Sequence, residues 1–598
     1  LHNRSKTEEH AMTLPARSGL RRLLGALALL VLAVPAAAQT LHRVPGSQGW
    51  GQGTRAWMYS FTQGSQLLPY GWFRALERPD SETLFRADGL ARFGYLPNPG
   101  GIDGLPVGFA IDVDRAGMWL GLNCAACHTN RVEVAGRTYQ IDGGPSDTDL
   151  QSLLLELDAA MRATLADGEK LARFIGRVSA GNAGTDARQL RRDFAAFSEK
   201  FTAFVDSSRS PTPWGPARAD AFGMIFNRAA AINLDNPANS RPPSAPVSFP
   251  FLWTTHNQNW IQWPGMVPNV SAFKRLGRNA GQVIGVFASM PDLANRDAPL
   301  EQRFASSVHA MELARAEWHV GQLTPPPWVG TPPNPADVAA GRALYYQGGT
   351  NGCIACHENR RDAAGRYLPG RFKVAVVPLS TPGMGTDALT ALNIRDRRVD
   401  SSALAGISVL GLPFGGSFTA EAPAAEYLSK LVARVILNPQ SWRGLPASPA
   451  GTSAYAPPAV NAGPGIDQPM PGRREAAAAA MAGGAMFAPD VPATGPEVAG
   501  LAYKAGPLNG IWATGPFLHN GSVPTIWHLL LPPAERPVTF QVGSRVIDEA
   551  NLGFLWQPGM GRFTFDTREP GNGNFGHTYG TQWNDEQRRQ LIAFLKTL

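Results

Sequence analysis

All four cysteines of this 598-residue chain lie in two copies of one motif. Asn123-Cys124-Ala125-Ala126-Cys127-His128 and Gly352-Cys353-Ile354-Ala355-Cys356-His357 both read C-x-x-C-H, the spacing of c-type haem attachment. Two thiols two residues apart on a tight turn can each bond one vinyl group of the same porphyrin, and the histidine that follows meets the iron as an axial ligand. Cys124 and Cys127 therefore read as the covalent anchors of a first haem c with His128 on its iron. Cys353, Cys356 and His357 repeat the arrangement for a second. A thioredoxin-like C-x-x-C needs no following histidine. A zinc site pairs its two arms roughly 15–20 residues apart, whereas His128 and His357 stand 229 residues apart. A third haem would have no cysteine to hold it.

The rest of the composition says what can carry these turns. Charged residues are 17% and hydrophobic ones 44%, with 15 Trp and 28 Phe, which excludes a disordered or collagen-like chain. With 64 Gly and 51 Pro, long loops are expected. Arg17, Arg21 and Arg22 precede an apolar run from Leu23 to Val34 and then Pro35-Ala36-Ala37-Ala38-Gln39. That is the order of a signal peptide over residues 1–38, and the run is too short to span a membrane. Haem c is assembled outside the cytoplasm, so a periplasmic or secreted location is expected. The formal charge is +7; loss of the leader would lower it to +4, with no dense Lys/Arg block. Nucleic acid is not an expected partner.

The pattern predicts a mainly α protein with long irregular loops, built as two cytochrome c-type haem domains with large insertions. Residues 39–324 are the expected N-terminal haem domain, with a helical and aromatic-rich insertion. The Pro-rich segment 325–335 is the expected linker, and residues 336–598 the C-terminal cytochrome c domain. Apolar periodicity predicts a helix over Asp147–Val178 capped by Asp147, and another over Ala187–Val205 whose aromatic stripe reads as plain core. A short helix over Ala336–Tyr346 leads into the second motif. Pro446–Gly500 reads as a surface excursion. Asn584–Leu598 reads as a capped amphipathic helix burying Leu591, Ile592, Leu595 and Leu598. No tandem repeat is present.

With its two separated motifs and leader, and with Gly515-Pro516-Phe517-Leu518-His519-Asn520-Gly521-Ser522, the chain resembles the bacterial dihaem cytochrome c peroxidase superfamily. Within it, the chain is most similar to the dihaem rubber (polyisoprene) oxygenase-like cytochromes. Gly121–Thr129, Ile141-Asp142-Gly143-Gly144-Pro145, Arg278-Asn279-Ala280-Gly281-Gln282-Val283 and Gly576-His577-Thr578-Tyr579 carry that similarity. The resemblance implies unequal haems: one with an accessible distal face for O₂ or peroxide, the other low-spin with two protein ligands. By similarity the His128 haem takes the reactive role. In the peroxidases a Met, and in the methylamine-utilisation enzyme a Tyr, follows the His-Asn/Asp-Gly segment as a distal ligand. Here Trp527–Pro533 contains neither, which favours a bis-His second haem over a peroxidase arrangement. Calcium is implied by the peroxidase likeness alone, since no acidic EF-hand-type loop is found.

Of the eleven histidines, seven remain after the leader and the two motifs: His42, His256, His309, His319, His519, His528 and His577. His577, in the Gly-rich loop before the final helix, is the expected distal ligand of the second haem, and the rubber-oxygenase resemblance also points to a late histidine. His519 is the alternative. Phe249, Phe251, Trp253, His256, Trp260 and Trp263 are candidates for the first haem's distal pocket, where polarity decides between binding and activation of a small oxidant. The function expected is a haem-dependent oxidoreductase of peroxidase or oxygenase type. It would take O₂ or H₂O₂ at one haem and pass electrons through the other, with a hydrophobic substrate or a small redox protein as further partner. The alternative is a non-catalytic dihaem electron-transfer protein.

Overall fold

The computed structural model describes residues 40–181, 184–348, 352–362, 365–410, 416–443 and 500–598. The expected leader, and all of the Pro446–Gly500 excursion but its last residue, lie outside these. Two antiparallel hairpins frame the first motif. β1 (Phe109–Asp114) pairs with β2 (Gly117–Leu122), and β3 (Thr129–Val134) pairs with β4 (Arg137–Asp142). Leu120, Val132 and Ile141 are buried from these strands. The turn carrying Cys124 to His128 is therefore tied down at both ends.

Three helices follow: α1 (Leu150–Ala166), α2 (Gly168–Ala180) and α3 (Ala187–Ser207). The single helix expected over Asp147–Val178 is thus two. Asp167 ends the first and caps the second, its carboxylate accepting from the amides of Glu169 and Lys170. An aspartate that bonds nearby amides competes with helix continuation. The first cap is Asp149, which accepts from Ser152 N at 2.9 Å, whereas Asp147 pairs with Arg562 at 2.5 Å. The α3 stripe is core, as its spacing predicts. Leu190, Phe194, Phe201 and Phe204 are buried, with Phe194 on Phe174 of α2 at a centroid distance of 4.4 Å.

Further along lie α4 (Ala272–Gly285), α5 (Ala310–Val320), α6 (Pro335–Tyr345), β5 (Ala375–Pro378), α7 (Ala424–Leu437), β6 (Ala502–Ala505) and α8 (Asp585–Leu595). β5 and β6 pair antiparallel. α8 opens with a capping box between Asn584 and Gln587 and buries Leu591, Ile592 and Leu595, with Leu598 buried just beyond its end. It crosses α6 with the backbones nearly touching. A Cβ on Gly341 would lie 1.9 Å from Gln590 O, so only glycine fits there. Tyr345 and Phe594 pack beside that crossing, 5.2 Å apart.

Residues 325–330 of the Pro-rich segment are buried or half-buried, while Thr331, Pro332, Asn334 and Pro335 are exposed. Trp512 Nε1 donates to Pro326 O at 2.9 Å, and Trp328 meets the Trp512 ring edge-on at 5.3 Å. One core cluster joins Trp253 and Val320 to Tyr345, Trp512 and Phe594, drawing on the chain before and after this segment. His42 to Leu598 forms one compact unit. Among the described residues no helix is long and apolar enough to cross a membrane.

Candidate haem-binding site

Local hydrogen bonds shape the first motif. Asn123 Oδ1 accepts from Ala125 N at 2.9 Å and its Nδ2 donates to Phe61 O at 2.8 Å. Cys124–Cys127 makes one helical turn, closed by His128 N on Cys124 O at 3.0 Å. Gly108 lies against this turn with φ +82°, and a Cβ there would sit 1.9 Å from Ala126 N. In the second motif Cys353–Ala355 forms a 3₁₀ turn, and His357 N donates to Cys353 O at 2.8 Å. All four cysteines are free and half-buried.

The two motif histidines are held alike. His128 Nδ1 lies 2.8 Å from Pro250 O, and His357 Nδ1 lies 2.7 Å from Gly506 O. A carbonyl can only accept, so Nδ1 carries the proton in each ring and Nε2 keeps its lone pair. This is how ligating histidines are oriented. Burial pushes the His128 pKa down to about 4 and lowers that of His357 as well, so both stay neutral and able to bind metal. Burial raises the thiols, Cys124 to about 11 and Cys127 to about 12, and Cys353 to about 11. Such thiols are not preformed thiolate ligands. Among the described residues no group of three or more His, Cys, Asp or Glu is placed to hold a metal by itself.

His577 stands opposite His357. Their ring centroids are 6.4 Å apart with the planes inclined by 52°. Two imidazole–metal bonds of about 2.0 Å each, plus about 1.1 Å from each donor nitrogen to its ring centre, give about 6.2 Å. The gap matches one iron between two imidazoles. His577 Nδ1 is buried without a protein partner, and burial, with His357 and Arg536 nearby, lowers its pKa to about 3. The loop is pinned by His577 N on Met384 O at 2.7 Å and Thr578 N on Gly383 O at 2.8 Å. A Cβ on Gly576, at φ +72°, would fall 2.3 Å from Met384 O.

His519 lies elsewhere. Its ring stacks on Tyr503 at 4.0 Å, its Nε2 is buried without a partner, and its carbonyl accepts from Ser248 N at 2.8 Å. The aromatic segment begins behind His128: Pro250 O occupies the Nδ1 side, and the Phe249 ring lies 6.3 Å from the imidazole. Phe251 stacks on Trp253 at 4.9 Å, and Trp253 Nε1 donates to Asn509 O at 2.8 Å. Trp263 Nε1 donates to Ser248 O at 2.8 Å. Trp260 sits in a two-residue strand opposite Pro268. His256 Nδ1 lies 2.9 Å from Glu317 Oε1.

Several residues that hold this arrangement carry no motif. Pro250 and Gly506 act through their carbonyls, which no side-chain pattern reveals. Glu317 on α5 gathers Arg278 and Asn279 of α4. Lys504 on β6 donates to Gln258 Oε1 at 2.6 Å. The stretch Arg278–Val283 was the one sequence signal pointing toward that group.

Residues 502–541, from β6 past His519, match the RoxA-like, cytochrome c-like family. The chain is 30% identical over 617 aligned positions to the uncharacterized protein y4iJ of Sinorhizobium fredii (strain NBRC 101917 / NGR234), covering 92% of each. It is also 36% identical over 126 positions to the uncharacterized protein y4iM of the same strain, 17% of this chain and 28% of that one. The chain belongs to the family of y4iJ and, through its RoxA-like cytochrome c domain, is a haem-binding cytochrome that takes haem c.

Proposed function

We propose that this cytochrome is an exported redox enzyme holding two covalent haems, one on Cys124, Cys127 and His128 and the other on Cys353, Cys356 and His357. His577 would complete the second site as a further ligand to its iron. Bound there, haem c would supply one-electron chemistry and, at an iron with an open position, reaction with O₂ or peroxide.

The observation that carries this reading is an asymmetry between the two motif histidines. His357 has the His577 imidazole 6.4 Å away, whereas among the described residues the ring recorded beside His128 is Phe249. Two imidazoles favour a low-spin centre that stores and passes an electron. A lone histidine leaves a position for a small oxidant. The fixed Nδ1 protons on Pro250 O and Gly506 O keep both rings oriented without rearrangement.

Mass spectrometry with EPR and optical titration of the purified ferric protein tests the proposal. The expected result is two added tetrapyrroles, one low-spin signal, and one high-spin signal that responds to cyanide or H₂O₂. Two inert low-spin signals would reassign the protein as a dihaem electron carrier. A mass lacking both tetrapyrroles would overturn the reading.

A further inference from the structure

Three cations and one carboxylate meet inside the protein where α4, α5 and β6 approach. Arg275 and the side chain of Arg278 are each 8% exposed, and Lys504 is half-buried. Glu317, 6% exposed, faces them with both oxygens already committed. Oε2 takes Arg278 and, at 3.1 Å, Asn279 Nδ2. Oε1 takes His256 at 2.9 Å and has Arg275 Nε at 3.7 Å. The remaining acceptors are neutral. Arg278 Nη1 donates to Asn269 Oδ1 at 2.9 Å, Arg278 Nε to Asn279 Oδ1 at 2.9 Å, and Arg275 Nη1 to Asn269 O at 3.3 Å. Arg275 Nε is buried with no hydrogen-bond partner. Among the described residues no carboxylate lies within ion-pair distance of Lys504, whose ammonium rests on an amide oxygen.

An uncompensated buried cation costs several kcal/mol, so this cluster calls for an anion the polypeptide does not supply. Its location says which. Lys504 stands two residues before Gly506, whose carbonyl holds His357. The cluster thus reaches toward the loop that holds the second motif.

We infer that Arg275, Arg278 and Lys504 form the site that receives the propionate carboxylates of a bound haem, with Glu317 holding the two arginines in place. Arginine forks match carboxylate geometry, and an ammonium adds a compact charge. The inference rests on the proposed haem binding and assigns residues to a part of the group that the two motifs leave unheld.

The test uses the full-length purified protein and Lys504→Met, with Lys504→Arg as the charge-retaining control. Haem content comes first, by mass. The resonance Raman propionate-bending band and the midpoint potential of each haem are then compared with wild type. Lys504→Met should keep its haems, shift the bending band, and make one midpoint more negative, because loss of a nearby cation favours the ferric state. Lys504→Arg should restore both. High-spin and low-spin marker bands identify which haem is affected. An unchanged band and unchanged midpoints in Lys504→Met overturn the assignment while leaving haem binding intact. A wild-type midpoint that tracks added phosphate, with the bending band unmoved, also overturns it in favour of a free anion. Wild-type protein lacking haem would instead sink the reading beneath it.

Discussion

Arg536 holds the carbonyl of His577 at 3.1 Å through Nη2. The same guanidinium also takes Asn574 O at 2.5 Å, Gly576 O at 2.9 Å, Leu529 O at 3.2 Å and Leu531 O at 3.2 Å. One side chain, 3% exposed, thereby fixes the loop that carries the histidine opposite His357. Arg536→Gln should cost about 2 kcal/mol, the scale of hydrogen bonds made by a charged donor. It should also convert part of the low-spin signal to high-spin as the loop loosens. Denaturant unfolding and EPR on the same sample read both effects.

His577→Ala should abolish the low-spin signal and leave haem content unchanged, because attachment depends on Cys353 and Cys356. His519→Ala should leave the spin state as it is, since that ring stacks on Tyr503. The opposite pair of outcomes would move the ligand to His519.

Replacing Cys353 and Cys356 together by Ser should remove one covalent haem, and replacing Cys124 and Cys127 should remove the other. Mass spectrometry under denaturing conditions counts them. Loss of both from either double variant would mean that the two turns are not independent attachment sites.

Glu317→Gln should destabilise the protein by about 3 kcal/mol, the cost of leaving buried cations without their carboxylate. Burial by itself would raise the Glu317 pKa, yet Arg278 and His256 hold it down at about 2. The carboxylate's contribution is therefore present above about pH 4.5 and lost as pH falls toward 2. Chemical denaturation at pH 7 and pH 3 should show the wild type and the variant converging at the lower pH.

His519 gives a pH dependence confined to a different window. Burial lowers its pKa to about 3 in the folded protein, against about 6.5 in an unfolded chain. Between these values the unfolded state binds a proton that the folded state does not. Stability therefore falls as pH falls through this window, by about 1.4 kcal/mol per pH unit. His519→Gln should make the stability–pH profile between pH 6 and 4 shallower by about that slope. Parallel profiles would show that the ring is not held neutral.

Sequence alone determined what is local in this protein. Each C-x-x-C-H turn needs residues within a single turn of backbone, so both turns were legible from spacing as candidate attachment sites. The buried faces of α3 and α8 were legible from helical period. Even local signals had limits, as where Asp167 split one expected helix into two. What tertiary structure decided is everything that depends on distant loops meeting. His577 lies 220 residues from His357, and no periodicity links them. They meet because Arg536, Met384 and Gly383 clamp one loop across the other motif. The carbonyls of Pro250 and Gly506, the packing of Pro326 and Trp328 on Trp512, and the charge cluster around Glu317 have the same origin. Backbone oxygens carry no side-chain signature, and a buried charge takes its meaning from the partners that folding brings to it.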